Sequence, residues 1–315
     1  MQLKKKQTII HSADKGCFFI SSAASRMGMA AALLLANRSI DMAVNGCILV
    51  TGAASGIGKA TVLMLAKRGF GVYATYATDK SQAELEKLRG AGGIEAFKLD
   101  ITNDDDVESA VAFIEEKGIN LLALVNNAGI FSPGPLMEYP VERLIEQYNV
   151  NVFGTHRLTK ALFPLLLKSR GRIVNVSSVA GFVATPFSGP YASSKHAIEG
   201  WSDSLRRELM PLGVKVIVVE PALINTPLWD RDIEGKIERY RGSIFYEANR
   251  KKLEHEATEA KTRGVQPEVV AEAIYQAVTT PNPKPRYLVT NHPVQHRLVR
   301  FLPDAFLDRL VIKEF

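Results

Sequence analysis

Cysteine is scarce in this chain: Cys17 and Cys47 are the only two among 315 residues. Two isolated cysteines supply no metal-ligand spacing and at most one disulfide. We therefore expect no metal site and a reducing compartment, which favours the cytoplasm. A chain of this length buries roughly three quarters of its unfolded surface, so its fold needs no cross-links.

Long apolar runs are also missing. Met27–Ala36 is too short for a transmembrane helix, which needs about 20 apolar residues, and no small-residue cleavage site of a secretory signal follows it. Three interpretations of the leader, residues 1–41, stay open: an untranslated stretch before a start at Met42, an organellar presequence, or a membrane-proximal anchor. In each case we predict a single domain over residues 42–315.

A concentrated basic surface is absent too, although the formal net charge is +6. The basic residues are scattered, and small clusters such as Arg206–Arg207 and Lys251–Lys252 form no stripe, so no nucleic-acid partner is expected. The basic balance favours an anionic cofactor. Internal repeats and low-complexity segments are lacking as well.

What the chain does contain is a regular alternation of short apolar runs and helical stretches. The runs show little alternation with polar residues, as expected for strands covered on both faces. Strands separated by helices predict an α/β fold with one Rossmann-type, doubly wound parallel sheet of about seven strands. Val141–Lys168 is predicted as one long helical stretch. The predicted strands are Cys47–Val50, Val72–Thr75, Ala96–Leu99, Leu121–Val125, Arg172–Val176, Val214–Val219 and Arg286–Val289.

Glycines cluster where the first predicted strand meets the first predicted helix. Glycine lets the backbone turn sharply and approach a pyrophosphate, while the helix amino terminus supplies N–H groups and a positive dipole end. The spacing is Gly-x3-Gly-x-Gly, which differs from the general G-x-G-x-x-G fingerprint. We predict a dinucleotide-binding turn whose contacts are Gly52, Ser55, Gly56, Ile57 and Gly58.

Tyr191 and Lys195 lie four residues apart on a predicted helix and therefore share a face. A nearby ammonium favours the phenolate and is expected to lower the tyrosine pKa from about 10, which suits proton transfer to or from an alcohol oxygen. The pattern is weak alone, because Tyr76 and Lys80 match it as well. We interpret that second match, at the end of the second predicted strand, as a coincidence.

Polar residues near the strand ends separate the two pairs. Ser178 follows the fifth predicted strand and precedes Tyr191 by thirteen residues. The fourth predicted strand leads into residues 126–129, Asn-Asn-Ala-Gly, at the same edge of the sheet. Asn151 lies within the long predicted helix, where asparagine is a poor helix former and needs another reason to be present.

Together these motifs resemble the short-chain dehydrogenase/reductase family over about residues 46–289. The resemblance implies an NAD(P)-dependent oxidoreductase that interconverts an alcohol and a ketone or aldehyde, acting as a homodimer or homotetramer. It implies Tyr191 as the acid/base, and Lys195 as the group that lowers its pKa and holds the nicotinamide ribose. Ser178 would orient the substrate oxygen, and Asn151 would hold a water that relays protons from Lys195.

The resemblance also implies cofactor contacts beyond the glycine turn, Tyr191 and Lys195. Asp100 and Ile101 would border the adenine, and Thr226 would contact the carboxamide end. The family turn that usually reads Pro-Gly is Pro221-Ala222 in this chain, a departure of one methyl group. The remaining implied contacts are Asn127, Ala128, Gly129 and Pro221.

The choice between NAD and NADP depends on the end of the second predicted strand. NAD users usually carry an acid there that binds the ribose 2′-OH. Tyr76 and Ala77 stand at this place, so no carboxylate repels a 2′-phosphate, and no arginine attracts it. Thr75, Lys59 and Lys80 are the candidates to meet a phosphate. We expect NADP in preference to NAD.

Residues 227–264 interrupt the strand–helix rhythm and predict a small helical lid over the substrate pocket. Its aromatic residues, with Phe182, Val183, Phe187 and Met137, would line an apolar pocket suited to a lipophilic alcohol or ketone.

Residues 295–315 predict an amphipathic helical segment that packs on the lid in preference to a membrane surface. This ending resembles the steroid, retinol and hydroxybutyrate dehydrogenase branch of the family, which suggests a steroid, retinoid or fatty hydroxy substrate, with a short hydroxy acid as the alternative. A catalytically inactive dinucleotide sensor is disfavoured by the intact Ser178, Tyr191 and Lys195. A nucleotide-sugar epimerase usually has a larger second domain.

Overall fold

One parallel sheet runs through the described part of this computed structural model, residues 46–88, 92–229 and 232–312. The expectations for residues 1–41, including Cys17, and for Met42 lie outside these residues. The strands are β1, Gly46–Val50; β2, Gly71–Tyr76; β3, Ile94–Lys98; β4, Asn120–Asn126; β5, Arg172–Val176; β6, Lys215–Pro221; and β7, Arg286–Val289.

The strand order is β3-β2-β1-β4-β5-β6-β7, and every neighbouring pair is parallel. The order reverses between β1 and β4, which creates a crevice at the carboxyl ends of these two strands, where ligands of open α/β sheets bind. The prediction of a seven-stranded, doubly wound parallel sheet is confirmed.

Helices connect the strands and cover the sheet. Leu49, Leu124 and Ile173 pack with apolar residues of two helices, Asp104–Glu116 and Thr155–Ser169, in one buried core. Because side chains alternate along a strand, the fully buried Ile48 and Val50 point to the opposite face. The helices are α1, Gly56–Lys67; α2, Asp79–Glu86; α3, Asp104–Glu116; α4, Val141–Tyr148; α5, Thr155–Ser169; α6, Gly189–Leu209; α7, Ile233–Glu238; α8, Tyr246–Arg263; α9, Pro267–Thr279; α10, Pro293–Val299; and α11, Asp304–Ile312.

The predicted long helix over Val141–Lys168 is not regular. A π-helical segment, Asn149–Gly154, separates α4 from α5. A Cβ at Gly154 would lie 2.7 Å from Cγ1 of Ile101, so the glycine permits close contact with the loop after β3. Such π turns occur frequently at functional sites, and this one contains Asn151.

A helix that crosses a bilayer needs about 20 predominantly apolar residues, and the helices of the described residues fall short of this. None of them is both long and apolar enough to cross a bilayer.

Candidate active site

The turn between β1 and α1 has a backbone conformation that requires glycine. Gly52 has φ +62° and Gly56 has φ +51°, in the left-handed region. A Cβ on Gly52 would lie 2.9 Å from Cα of Ala128, and one on Gly56 would lie 3.1 Å from Cγ2 of Thr226. No acidic residue stands in the first turn of α1. This helix end therefore remains positive and suits a pyrophosphate.

Gly58 lies behind this turn and does not line the cavity described below. A Cβ there would lie 2.3 Å from the carbonyl oxygen of Gly52 and 2.6 Å from Nδ2 of Asn127. Asn127 Nδ2 donates to the carbonyls of Thr51 (2.9 Å) and Gly52 (3.2 Å). Thr51 Oγ1 accepts from the backbone N–H groups of Asn127 and Ala128, both at 3.0 Å. These bonds tie the ends of β1 and β4 together.

The end of β2 carries polar groups without a carboxylate. Thr75 is buried, and its Oγ1 has no hydrogen-bond partner among the described residues. Residues 76–78 and Lys80 line the cavity next to it. Glu84 lines it as well, but its carboxylate lies 2.5 Å from Nζ of Lys87. None of the three residues that follow Thr75 carries a carboxylate.

Ser178, Tyr191 and Lys195 meet at the carboxyl edge of the sheet beside β5. Helix α6 presents Tyr191 and Lys195 one turn apart, and the Lys195 ammonium lies 5.6 Å from the centre of the Tyr191 ring. Lys195 Nζ donates to the carbonyl of Val176 (2.9 Å). Ser178 Oγ donates to the carbonyl of Pro221 (3.3 Å), so the hydroxyl is oriented by the end of β6.

Burial dominates the pKa values of this group. It raises the pKa of Tyr191 to about 12, and a hydrogen bond with Ser178 opposes that shift only in part. Burial also lowers the pKa of Lys195 to about 8, against the opposing charge of Glu199. The Tyr191 shift is thus upward, and the sequence prediction of a lowered pKa is wrong for this structure. The physical reason is that desolvation disfavours the phenolate, while the Lys195 ammonium is bonded to a backbone carbonyl.

Asn151 lies in the π segment and faces protein groups. Its Oδ1 accepts from the backbone N–H of Ile130 (2.9 Å), and its Nδ2 donates to the Ile130 carbonyl (3.1 Å) and to Ser194 Oγ (3.0 Å). The side chain therefore joins the loop after β4 to α6 one residue before Lys195. It does not line the cavity, and a water relay through Asn151 stays a prediction.

A cavity of about 1260 Å³ extends from the glycine turn to Tyr191 and beyond. Pockets for one ligand measure about 300–1,000 Å³, so this cavity can hold a cofactor together with a substrate. It is lined by all the predicted site residues except Gly58 and Asn151. The predicted site residues that line the cavity are Gly52, Ser55, Gly56, Ile57, Asp100, Ile101, Asn127, Ala128, Gly129, Ser178, Tyr191, Lys195, Pro221 and Thr226.

Apolar residues form the wall beside Tyr191. The Phe131 ring stands perpendicular to that of Tyr191, with centroids 5.2 Å apart, and lies 5.1 Å from the Trp229 ring. Ile237 of α7 and Leu253 of α8 pack on the same cluster. The predicted lid thus consists of two helices whose apolar residues pack beside the catalytic candidates. Phe131, which the sequence analysis did not single out, is the centre of this wall.

Four residues were predicted to form the apolar wall: Phe182, Val183, Phe187 and Met137. Of these four, Val183 lines the cavity that contains Tyr191. Phe182 instead stacks under the guanidinium of Arg300, 3.9 Å from its ring centre. Phe187 and Met137 line a smaller cavity of about 430 Å³, which we call the side cavity. Phe182, Phe187 and Met137 therefore do not line the cavity that contains Tyr191, although Phe187 and Met137 line the apolar side cavity beside it.

The structure adds a polar group that sequence reasoning missed. Lys252 Nζ lies 2.6 Å from Glu256 Oε1 and donates to Ser188 Oγ (2.8 Å). Ser188 and Glu256 line the cavity, and Ser188 precedes Tyr191 by three residues. Lys252 and Glu256 lie four residues apart, and this spacing, visible in the sequence, could have indicated an ion pair on one face of a helix.

The C-terminal helices form another part of the cavity wall. Val299 of α10 and Leu307, Leu310 and Val311 of α11 line it. Arg300, which follows α10, lies 2.5 Å from the buried carboxylate of Glu220. The predicted C-terminal segment therefore contributes to the cavity directly.

Known proteins are similar to this chain in sequence and in fold. The family model described as short chain dehydrogenase matches residues 46–236. The NADPH-dependent 3-dehydrocapnine reductase of Ornithobacterium rhinotracheale is 37% identical, over 67% of this chain and 75% of that protein. The mitochondrial D-beta-hydroxybutyrate dehydrogenase of Mus musculus is 33% identical, over 78% of this chain and 77% of the mouse protein.

A solved structure supports the same relationship. An actinorhodin polyketide ketoreductase variant with NADPH superimposes with a TM-score of 0.66. It is 27% identical, and the match covers 79% of this chain and 97% of the ketoreductase.

Proposed function

This chain belongs to the short-chain dehydrogenase/reductase family, and from that premise we propose that it interconverts a lipophilic secondary alcohol and its ketone with NADP in preference to NAD. As a member of the family it is an oxidoreductase that acts on alcohol or ketone groups with NAD or NADP. The convergence of Ser178, Tyr191 and Lys195 in one cavity with the glycine turn carries the proposal.

Tyr191 is the proposed proton-transfer group. The cofactor, when bound, supplies or accepts the hydride. During ketone reduction the Tyr191 phenol donates its proton to the carbonyl oxygen, and during alcohol oxidation the phenolate removes the hydroxyl proton. Ser178 holds the substrate oxygen with its hydroxyl. Lys195 holds the nicotinamide ribose and returns a proton to Tyr191, and Asn151 fixes the backbone at Ile130 beside it.

The preference for NADP follows from the end of β2. A carboxylate at that position would bind ribose hydroxyls and repel a 2′-phosphate, and residues 76–78 include none. The unpartnered hydroxyl of Thr75 and the ammonium of Lys80 are the groups proposed to meet the phosphate. The similar reductase from Ornithobacterium is named for NADPH, which supports the same choice.

A lipophilic substrate is supported by the cluster of Phe131, Trp229 and Leu228 beside Tyr191. A short hydroxy acid is the second candidate, since the mouse relative is a hydroxybutyrate dehydrogenase. We place the activity in one domain, residues 42–315, that acts as a homodimer or homotetramer in the cytoplasm.

The test is Tyr191→Phe, assayed at 340 nm with lipophilic ketones, secondary alcohols and 3-hydroxybutyrate against both cofactors. Loss of the proton donor should lower kcat by 10²–10⁴-fold and leave cofactor affinity nearly unchanged, because general acid–base catalysis is typically worth that much. Tyr76→Phe is the matched control, since Tyr76 also precedes a lysine by four residues, and it should keep its kcat. A Tyr191→Phe enzyme that retains more than about a tenth of the wild-type kcat would contradict the proposed role.

A further inference from the structure

The side cavity has the size and composition of an apolar binding site. Its volume of about 430 Å³ lies within the range of single-ligand pockets. Its walls come from the segment around Leu136, the loop at residues 184–187, Phe245 and α11. Thr185 and Asp308 are the only lining residues with polar side chains among those described.

The side cavity adjoins the catalytic cavity. Three residues, Thr185, Leu307 and Val311, line both spaces. Thr185 Oγ1 donates to Ser188 Oγ (3.2 Å), which lies three residues before Tyr191. The junction between the cavities is therefore within a few ångströms of the helical turn that carries the proposed proton donor.

The loop that separates the two cavities is strained. Phe187 has φ +62°, in the left-handed region that is unfavourable for a non-glycine residue. Its carbonyl accepts from the backbone N–H of Gly134 (2.8 Å), and its ring lies 6.0 Å from that of Phe245. Strain of this kind persists where surrounding contacts impose it and is concentrated at ligand sites. The contacts of Phe187 keep its ring in the wall of the side cavity.

We propose that the side cavity binds the unbranched hydrocarbon tail of a substrate whose reacting carbon lies at Tyr191. This inference rests on the proposed function and narrows its substrate class from lipophilic compounds in general to long-chain ketones and alcohols. Thr185, Leu307 and Val311 are walls common to both cavities, and an unbranched chain has a smaller cross-section than a fused ring system, so it is the lipophilic group best suited to extend from one cavity into the other. Met137 and Ile312 at the rim are 88% and 66% exposed, which leaves room for longer tails to extend outward. The carboxylate of Asp308 disfavours an anionic tail end.

The first measurement is kcat/KM for 2-alkanones from 2-butanone to 2-undecanone with NADPH. Burial of one methylene is worth about 0.8 kcal/mol, so each carbon that enters the side cavity should raise kcat/KM about three- to fourfold. Ala184→Trp places a bulky ring in the wall of the side cavity, and it should lower the ratio of long-chain to short-chain kcat/KM at least tenfold. Ala112→Trp, at an exposed position on α3, is the matched control and should keep the wild-type ratio.

The second measurement does not require turnover. Calorimetric titration of 2-butanol and 2-undecanol into the enzyme–NADPH complex gives the affinity of unreactive complexes, and 2-undecanol should bind at least tenfold more tightly in the wild type than in Ala184→Trp.

Equal chain-length profiles in wild type and Ala184→Trp, or equal affinities of both for 2-undecanol, would overturn the tail subsite. If 2-butanone is reduced and these profiles are equal, the proposed function stands without the subsite. If no ketone is reduced but 2-undecanol binds as expected, the subsite stands and the proposed function fails.

Discussion

Two parts of the large cavity are built by different means: the part around the glycine turn, where we propose that the cofactor binds (the cofactor half), and the part around Phe131 and Trp229, where we propose that the substrate binds (the substrate half). In the cofactor half, positive-φ glycines form the turn, and hydrogen bonds from Asn127 and Thr51 fix it to the neighbouring strand end. In the substrate half, Phe131 packs against α7 and α8, which are more than a hundred residues away in the chain. Backbone geometry determines the first half, whereas long-range apolar packing determines the second.

The comparison suggests where each half tolerates change. Close backbone contacts in the cofactor half leave no space for added atoms, because interiors are packed to crystal-like density. In the substrate half, Asn249 of α8 is buried with neither amide atom bonded to a described residue, and Glu256 Oε2 is in the same condition. Thr75 Oγ1 in the cofactor half is in the same condition, so unbonded atoms do not distinguish the halves. We infer that the substrate half is the easier one to redesign because side chains, rather than close backbone contacts, form its wall.

The largest expected effect is that of Gly58→Ala on the cofactor half. Its new methyl group would meet the Gly52 carbonyl at 2.3 Å, so α1 must move away from the turn. Overpacking costs about 1–3 kcal/mol of the free energy of unfolding, and a misplacement of about 1 Å can cost 10²-fold in function. We expect NADPH affinity, measured by fluorescence titration, to fall about a hundredfold.

Gly200→Ala is the matched control for this change. Gly200 lies on α6, and a Cβ there meets nothing within 4 Å. Alanine is the better helix former by about 1 kcal/mol, so this variant should melt at a slightly higher temperature and bind NADPH normally. Normal NADPH binding by Gly58→Ala would show that the close contact behind the turn is not needed.

The next effect concerns the choice of cofactor. Tyr76→Asp places a carboxylate at the end of β2, where it would bind ribose hydroxyls and repel a 2′-phosphate. Like charges in a partly desolvated site can cost several kcal/mol, so the ratio of kcat/KM for NADP to that for NAD should fall about a hundredfold. Tyr76→Asn, which lacks the charge, should shift the ratio much less. A wild type that already prefers NAD more than tenfold would mean that another residue reads the ribose.

The cofactor half was largely predictable from sequence because its signals are local. Strand β1 reads as a continuous apolar run, and the glycines that follow it have backbone roles visible from their spacing. The i,i+4 relation of Tyr191 and Lys195 also follows from helix geometry alone. These features need no knowledge of what packs on them.

The substrate half was predicted less well because its walls depend on contacts distant in sequence. Phe182 and Phe187 lie four and nine residues after Ser178, yet one packs under Arg300 and the other lines the side cavity. Likewise, the direction of the Tyr191 pKa shift depends on burial, which the spacing of Tyr191 and Lys195 does not show. The π segment around Asn151 was equally hidden, since the surrounding sequence has an ordinary helical pattern.

The pH dependence of catalysis tests how the two halves meet at Tyr191. Below its pKa of about 12 the phenolate fraction rises with pH, so kcat/KM for alcohol oxidation should rise up to tenfold per unit until the Lys195 ammonium is lost above its pKa of about 8, and then level off. Ketone reduction needs the neutral phenol and the Lys195 ammonium, so it should be constant at low pH and fall above the Lys195 pKa of about 8. The measurement is kcat/KM in both directions from pH 6 to 10, which reports groups of the free enzyme.

Lys195→Arg is the control for this profile. Arginine stays charged throughout that range, so the residual reduction activity of this variant should lack the decline above pH 8. A decline that persists in Lys195→Arg would assign it to another group.

The smallest expected effect is that of Arg300→Met, which tests whether the C-terminal wall can be loosened without disturbing the cofactor half. The substitution keeps an apolar stem but removes the ion pair with Glu220 (2.5 Å) and the stacking on Phe182 (3.9 Å). The buried Glu220 carboxylate keeps Arg286 at 3.1 Å, so the loss should be limited to about 1–2 kcal/mol of the free energy of unfolding. Because α10 and α11 line the substrate half, KM for the ketone should rise severalfold while NADPH affinity stays constant.

The matched control is Arg297→Met, at an exposed position on α10, which should change neither KM for the ketone nor NADPH affinity. A matching loss of NADPH affinity in Arg300→Met would show that the two halves are coupled through Glu220 and Pro221.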